Sequence, residues 1–525
     1  MSQPYEISPY GIVQLISLIA QKSGSAPNII NSKFHLIYFN DYFRVLGAKT
    51  ILVENDYIDR DFLDDFTGYY VRCFKAYSRK CSRFHFFDAE FDEEDFTTLL
   101  KGAEKKISLP DFQNAYLGFI VIKPLPQTVF GRTCLKTYQS DGGRRHFLAN
   151  QDYEPNLFGI PLKIRTLPFQ EQDNVVAACA TSALWSIFHG TSKLFDHPVK
   201  SPVEITNAAS VYAPLETRIL PNKGLSIFQM THAIRSVGLE PFLVKGNDEY
   251  VLKGTLYAYL GGHIPLLMGI NLYDTSDSNN FWGSHAVAMT GFSMGSKIPI
   301  PYGRTGFLLK ASRIDRIYVH DDQVGPFARM AFDDPKKLDT IHGQLNSVST
   351  SWKGKDDKIG SVRAAPITIL APLYHKIRIP FHVVHDAIIP FDGVIEKARL
   401  DGIVTLPARL EWDIYLTSVN DLKTNILKTR CLNDGEYCRE VLLESMPRFI
   451  WRAIGICVDR PIIELLFDAT DIEQGSLFIR AIEYDYGVSI ILRAVAPTFT
   501  DKPEWKIFQW FESHPLRTPP STSIS

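Results

Sequence analysis

The residues with most chemical content lie in four short stretches. Cys179 sits in NVVAACATSALWSIF (174–188), at the seam between an extended apolar run and a helical pattern. A thiol in the first turn of a helix is a candidate nucleophile, because the helix dipole favours its thiolate. The alternative is a small buried hydrophobe. A thiol that attacks a carbonyl needs a base, a group to orient that base, and donors for the oxyanion. There are 14 histidines, so position must choose among them. His285, in WGSHAVAMTGF, stands at the mouth of an apolar strand just after a glycine-containing loop. Rigid backbone would hold the ring there while leaving it facing a cleft; a purely structural histidine is the alternative. The next strand ends in IYVHDDQVGPF, which brings Asp321 or Asp322 towards His285, although turn aspartates are common. Gln172 lies seven residues before Cys179 and could donate to an oxyanion beside the Cys179 backbone N–H. Otherwise Gln170 and Gln172 are solvent-facing polar residues.

Elements must position these groups. A helix is expected to begin near Cys179, and a second over 226–237, SIFQMTHAIRSV, with Gly238 as its stop. Short apolar runs at 265–272, 286–292 and 316–319, bounded by Gly, Asn and Asp, read as strands. Helix first and sheet after is an α+β order rather than repeated βαβ. Upstream, helical patterning covers 8–22 and the region around 60–80, and strands are expected over 115–122 and 131–138. DGGRRH (141–146) is a turn signal.

A chain of 525 residues exceeds one ordinary domain. The reading divides it into an N-terminal α/β domain (1–155), a central domain (156–335), a polar linker or long loop (336–362), a C-terminal α/β domain (363–511) and a disordered tail (512–525). A net charge of −2 gives no electrostatic reason to expect nucleic acid as the main partner. No run approaches bilayer-spanning length, and MSQPYEISPYGIVQLISLIAQ lacks the basic start of a signal peptide. Seven irregularly spaced cysteines do not form a disulfide framework, so a reducing, cytoplasmic setting is expected.

Taken together, residues 168–332 resemble the papain-like cysteine peptidase superfamily, and within it the C39-like peptidases. Four stretches carry the resemblance: QDNVVAACATSALW, with Cys179 at the nucleophile position; GLSIFQMTHAIRSVGLEPFLV; GGHIPLLMGINLY followed by SHAVAMTGF, which presents His285; and IYVHDDQVGPF, which ends in the orienting acid. The family spaces its oxyanion glutamine six residues before the cysteine. Here that position is Asp173, with Gln172 one residue further back, and Ala180 stands where glycine is common. The family's usual Asp-Pro reads Asp321-Asp322, with Asp321 favoured as the third member. The resemblance implies a nucleophile-bearing helix packed on an antiparallel sheet. It also implies a Cys179–His285–Asp321 triad, no cofactor or metal, and a protein or peptide substrate cleaved through an acyl-enzyme. An acyl transferase would use the same triad, and a non-catalytic binding or scaffold protein could keep the same fold.

Other constellations carry less. Cys73, Cys81 and His85 have the wrong spacing for a zinc knuckle. Cys431 and Cys438 flank a turn-like LNDGEY. Arg72, Lys75, Arg79, Lys80 and Arg83 read as a solvated helix face before an RNA-binding one. Arg448, Arg452, Asp459, Asp468 and Asp471 look organised, with no chemistry attached.

Overall fold

The computed structural model describes residues 3–516 except 174, 213–219, 221–223, 278–279, 296–297, 334–335, 342, 430–434, 471–476 and 500–505. It is a mixed α+β protein with several antiparallel sheets, and its chain forms two compact units rather than domains in series. The first contains 1–247, 263–293 and 315–372; the second contains 248–262, 294–314 and 373–525. The boundary expected at 155 falls inside the first unit, which holds both the N-terminal and most of the central region.

That sharing follows from how the first sheet buries both faces. Five antiparallel strands run in the order Tyr5–Pro9, Thr50–Tyr57, Cys81–Phe87, Tyr116–Ile122 and Phe130–Leu135. Side chains alternate across a sheet. Ile51 and Val53 therefore join one apolar cluster with Phe84, Phe86, Ile120 and Ile122, while Leu52 joins another with Phe119 and Val121. Helices Ile12–Ser23 and Phe34–Leu46 cover the first face through Leu15, Ile19, Phe39 and Phe43. The same cluster takes in Tyr318 and Phe327, so the first sheet's core continues into the strands around the candidate acid.

The second sheet of this unit is a ring. Leu239–Lys245 lies outside it, beside Val362–Tyr374. From there the order is Leu266–Asp274, Asn280–Met294, Ile314–Asp321, Gly325–Ala331 and Val348–Ser349, and the last pairs back onto Val362–Tyr374. Closure removes the open edges of those strands. The region expected as a linker over 336–362 is thus partly sheet. Lys337–Thr340 and Gly343–Asn346 form a hairpin, and Val348–Ser349 closes the ring. Its polar composition misled because these strands are short.

Other expectations shift by a few residues for local reasons. The helix expected over 8–22 begins at Ile12, since Tyr5–Pro9 is spent on pairing antiparallel with Thr50–Tyr57, and Gly24 stops it in the left-handed conformation. The helix expected over 60–80 runs only Arg60–Gly68, with Asp59 capping the Phe62 N–H. The basic residues Arg72, Lys75, Arg79 and Lys80 lie beyond it, exposed and outside any α-helix. Arg83 is buried in a strand and paired with Glu54 at 2.7 Å.

The second unit holds a six-stranded sheet in the order Pro301–Tyr302, Phe307–Leu309, Glu411–Ser418, Phe449–Cys457, Arg460–Asp468 and Phe478–Glu483. Arg452 and Glu464 form a buried pair at 2.6 Å, diagonally across two of these strands. Arg448 lies over the rings of Tyr374 and Phe449, and Asp468 accepts from Thr470, so this charged group has structural work. Asp471, Cys431 and residues 517–525 of the expected tail lie outside the described residues; 512 and 513 belong to helix Lys506–Ser513.

Candidate active site

Cys179 is the first residue of helix Cys179–Phe195 and is half-buried. The N-cap is Ala178, whose side chain offers no cap to the first turn. Backbone N–H groups at such a start have no intrahelical acceptor and carry the positive end of the helix dipole. The other side of the helix is buried: Trp185 is fully enclosed and donates from Nε1 to Asp61 at 3.0 Å. At Gly190 an added Cβ would meet the Pro265 Cγ at 2.9 Å, so the helix lies hard against the strand entry.

His285 projects from Asn280–Met294, opposite Ile270 of the neighbouring strand, and is 8% exposed. Asp321 ends the strand on the other side. The His285 Nε2 lies 3.1 Å from the Asp321 Oδ1 and 3.5 Å from the Asp322 Oδ1. Nε2 is turned to the acids, and the Cys179 thiol lies near enough to the ring to favour its protonated form. The structure therefore brings together Cys179, His285, Asp321 and Asp322, the acid alternatives both being present at one imidazole.

Charge at the site is uneven. Burial works against the imidazolium, but the charges of Asp321 and Asp322, the hydrogen bond the ring donates to Asp321, and the nearby Cys179 thiol outweigh it, and the His285 pKa lies well above the ordinary histidine range. Burial also works against the Asp321 carboxylate, yet the imidazolium and the hydrogen bonds from His285, Trp352 and the Gln323 N–H hold its pKa below the usual range. Asp322 goes the other way. Burial, with Asp321 adding repulsion, pushes it up to about 6 despite His285. Its Oδ2 accepts from the Gln323 amide at 2.9 Å, while its Oδ1 has no hydrogen bond among the described residues. Asp321 is thus the ionised partner and Asp322 the one that titrates.

The acid turn is tightly held. Asp321 accepts from the Gln323 N–H at 3.1 Å and from the Trp352 Nε1 at 2.7 Å. His35, on helix Phe34–Leu46, donates from Nε2 to the Asp322 carbonyl at 2.8 Å, and Tyr38 donates to the Pro326 carbonyl at 2.5 Å. Gly325 has φ +152, and an added Cβ would fall 2.3 Å from the Tyr38 ring, so both conformation and space require glycine.

Sequence reasoning missed Trp352. Its ring meets His285 edge-on, with centroids 5.1 Å apart, besides donating to Asp321. It sits in the segment read as a linker, and the available signal was a single large aromatic in a polar run. Asp274 secures that segment: its Oδ2 accepts the Lys355 N–H at 2.8 Å.

Gln172 is half-buried on the approach to the helix. Gln170 is 5% exposed, not solvent-facing, and its Nε2 has no hydrogen-bond partner among the described residues. Asp173, at the family's glutamine position, is buried and accepts from the Tyr70 hydroxyl at 2.6 Å. Of the earlier zinc candidates, His85 is fully buried, with Nδ1 3.1 Å from the Tyr116 hydroxyl. Among the described residues, the group whose ligand atoms lie close enough for a cation is His285, Asp321 and Asp322, all within 4.8 Å. No helix among the described residues is long and apolar enough to cross a membrane.

Comparison with known proteins gives no further guide: no family profile matches the chain, and no curated protein matches it.

Proposed function

We propose that the chain is a cysteine peptidase or related thiol hydrolase of the papain-like, C39-like kind, acting on a protein or peptide through Cys179, His285 and Asp321. The observation that carries this reading is the buried imidazole set between a thiol at a helix start and an ionised carboxylate. A raised histidine pKa beside a thiol is the condition for a thiolate–imidazolium pair.

In this reading the Cys179 thiolate attacks the amide carbon and forms a C–S bond. The oxyanion is held by the Cys179 N–H and by a side-chain amide from the approach segment, that of Gln172 or Gln170. The C–N bond then breaks as His285 protonates the departing amine. His285 next takes a proton from water, whose oxygen attacks the thioester carbon, and Cys179 leaves as thiolate. Asp321 keeps the ring oriented and stabilises its charge throughout. An amine in place of water gives acyl transfer.

Iodoacetamide alkylation of Cys179, followed by mass spectrometry from pH 4 to 9, tests the proposal. Buried Cys81 and Cys134 serve as slow controls; burial pushes Cys134 up to about 12. A free thiol with pKa about 8.5 is only about 0.3% thiolate at pH 6. Rapid labelling at pH 6 that His285→Ala abolishes is the expected result. Labelling that rises only near the free-thiol pKa in both proteins would overturn it.

A further inference from the structure

Resting on the thiol-hydrolase reading, we infer that Asp173 is a positioning residue. Anchored by Tyr70 and Lys123 of the N-terminal region, it fixes the backbone that presents the Cys179 thiol.

Asp173 is 3% exposed and lies six residues before Cys179. Burying a carboxylate is costly unless it is paired and hydrogen-bonded. Each oxygen is engaged. Oδ2 accepts from the Tyr70 hydroxyl at 2.6 Å and lies 3.9 Å from the Lys123 Nζ, itself on a side chain 4% exposed. Oδ1 accepts from the Val175 N–H at 3.0 Å, and the Asp173 carbonyl accepts from the Ala177 N–H at 2.9 Å. One residue thus closes the turn that delivers the chain to Ala178 and the helix start.

The surroundings fix the same turn from the far side. The Thr206 hydroxyl donates to the Val176 carbonyl at 2.7 Å, and Val176, Ala177 and Val203 form a small apolar cluster. Asp65 accepts the Val203 N–H at 3.0 Å. Burial, followed by the charge of Asp173, raises its pKa well above the ordinary carboxylate value. Burial and the adjacent Asp173 also keep the Tyr70 hydroxyl protonated, so it remains a donor. Tyr70 and Lys123 come from the region the sequence reading set apart as a flanking domain. In this inference that region supplies one wall of the site's framework.

The test uses the full chain with Asp173→Ala, Asp173→Asn and Tyr70→Phe, and two readouts. The first is the pH profile of Cys179 alkylation, run beside wild type and His285→Ala. The second is hydrogen exchange in peptides spanning 172–184. Asp173→Ala should slow labelling at pH 6 at least tenfold and move the profile towards the free thiol. Asp173→Asn keeps an acceptor for Val175 and should recover much of the rate. Tyr70→Phe keeps the ring and should slow labelling about threefold. Exchange in 175–180 should rise in Asp173→Ala and Tyr70→Phe. Wild-type profiles and exchange in both variants would overturn the inference while leaving the His285 result intact. If wild-type Cys179 proves no more reactive than a free thiol, the hydrolase reading fails, and exchange alone decides whether Asp173 fixes this backbone. Tyr70→Phe removes a single oxygen and serves if Asp173→Ala does not fold.

Discussion

His85 and His285 are both buried in strands and both face a carboxylate, yet they titrate in opposite directions. His85 has its Nε2 3.5 Å from the Glu54 Oε2, but Arg83 already donates to that oxygen at 2.7 Å. Burial dominates, the hydrogen bond to Glu54 recovers only part, and the Arg83 charge opposes protonation, so His85 falls to about 4. At His285 burial is opposed by two carboxylates, and the pKa rises instead. A buried imidazole becomes an ion-pair partner when the carboxylate beside it is not already spent on an arginine. That distinction separates a candidate base from a structural histidine better than burial does.

The largest expected effect comes from making His285 resemble His85. Asp321→Asn with Asp322→Asn removes both charges and leaves burial in control. The His285 pKa should fall below about 6.5, and Cys179 alkylation at pH 6 should drop about 100-fold, towards the free thiol. Asp321→Asn alone should account for most of the loss, because Asp321 is the ionised, closer partner. Equal losses from Asp321→Asn and Asp322→Asn would mean that the two acids share the role.

A smaller effect separates the acids by pH. Asp322 titrates at about 6, so acidification through that value neutralises it and removes one of the charges holding the imidazolium. The alkylation profile should show an inflection near pH 6 that Asp322→Asn erases. The stability signs differ by residue. The raised His285 pKa contributes stability that is complete below about 6.5 and is lost as pH rises through its folded value. The depressed Asp321 pKa contributes stability present above about 3.9 and lost as pH falls through its folded value. Denaturant midpoints across pH for wild type and Asp321→Asn check the second sign.

Trp352→Phe comes next. The edge-on ring survives and the donor to Asp321 is lost, leaving a buried oxygen short of one partner. A destabilisation of about 1–3 kcal/mol is expected, with the Asp321 pKa drifting upward. Urea unfolding measures the first, and alkylation at pH 6 should slow only a few-fold. An unchanged unfolding midpoint would show that the Trp352 N–H is not needed by Asp321.

Cys179, His285 and Asp321 could be named because each carries a local signal: a helix start, the onset of an apolar run, a strand end. The strand of His285 starts earlier than the apolar run suggested, at Asn280, so the histidine lies inside it rather than at its mouth. Trp352, Tyr70, Lys123 and His35 could not be named, because their roles depend on contacts far apart in sequence, 31 residues for Trp352 to Asp321 and 103 for Tyr70 to Asp173. The ring closure was hidden for a related reason: Val348–Ser349 is too short for a period-2 pattern. The core shared by Phe43, Phe86 and Tyr318, on both sides of the boundary expected at 155, leaves no mark in composition.

The smallest effect on the thiol should come from the other member of the histidine pair. His85→Gln leaves an uncharged hydrogen-bonding side chain beside Tyr116 and Glu54, remote in role from Cys179. Alkylation at pH 6 should stay within about twofold of wild type, as for any substitution that alters neither the thiol's pKa nor its access. Stability should change in a defined pH window. A histidine with a folded pKa of about 4 favours the unfolded chain once protonation begins, so stability present above about 6.5 is lost as pH falls towards 4. His85→Gln removes that loss, and its unfolding midpoint should fall less steeply than wild type between pH 6.5 and 4. If His85→Gln slowed alkylation as His285→Ala does, the contrast between the two histidines would fail. Charge left unspent by arginine would then no longer be what marks the base.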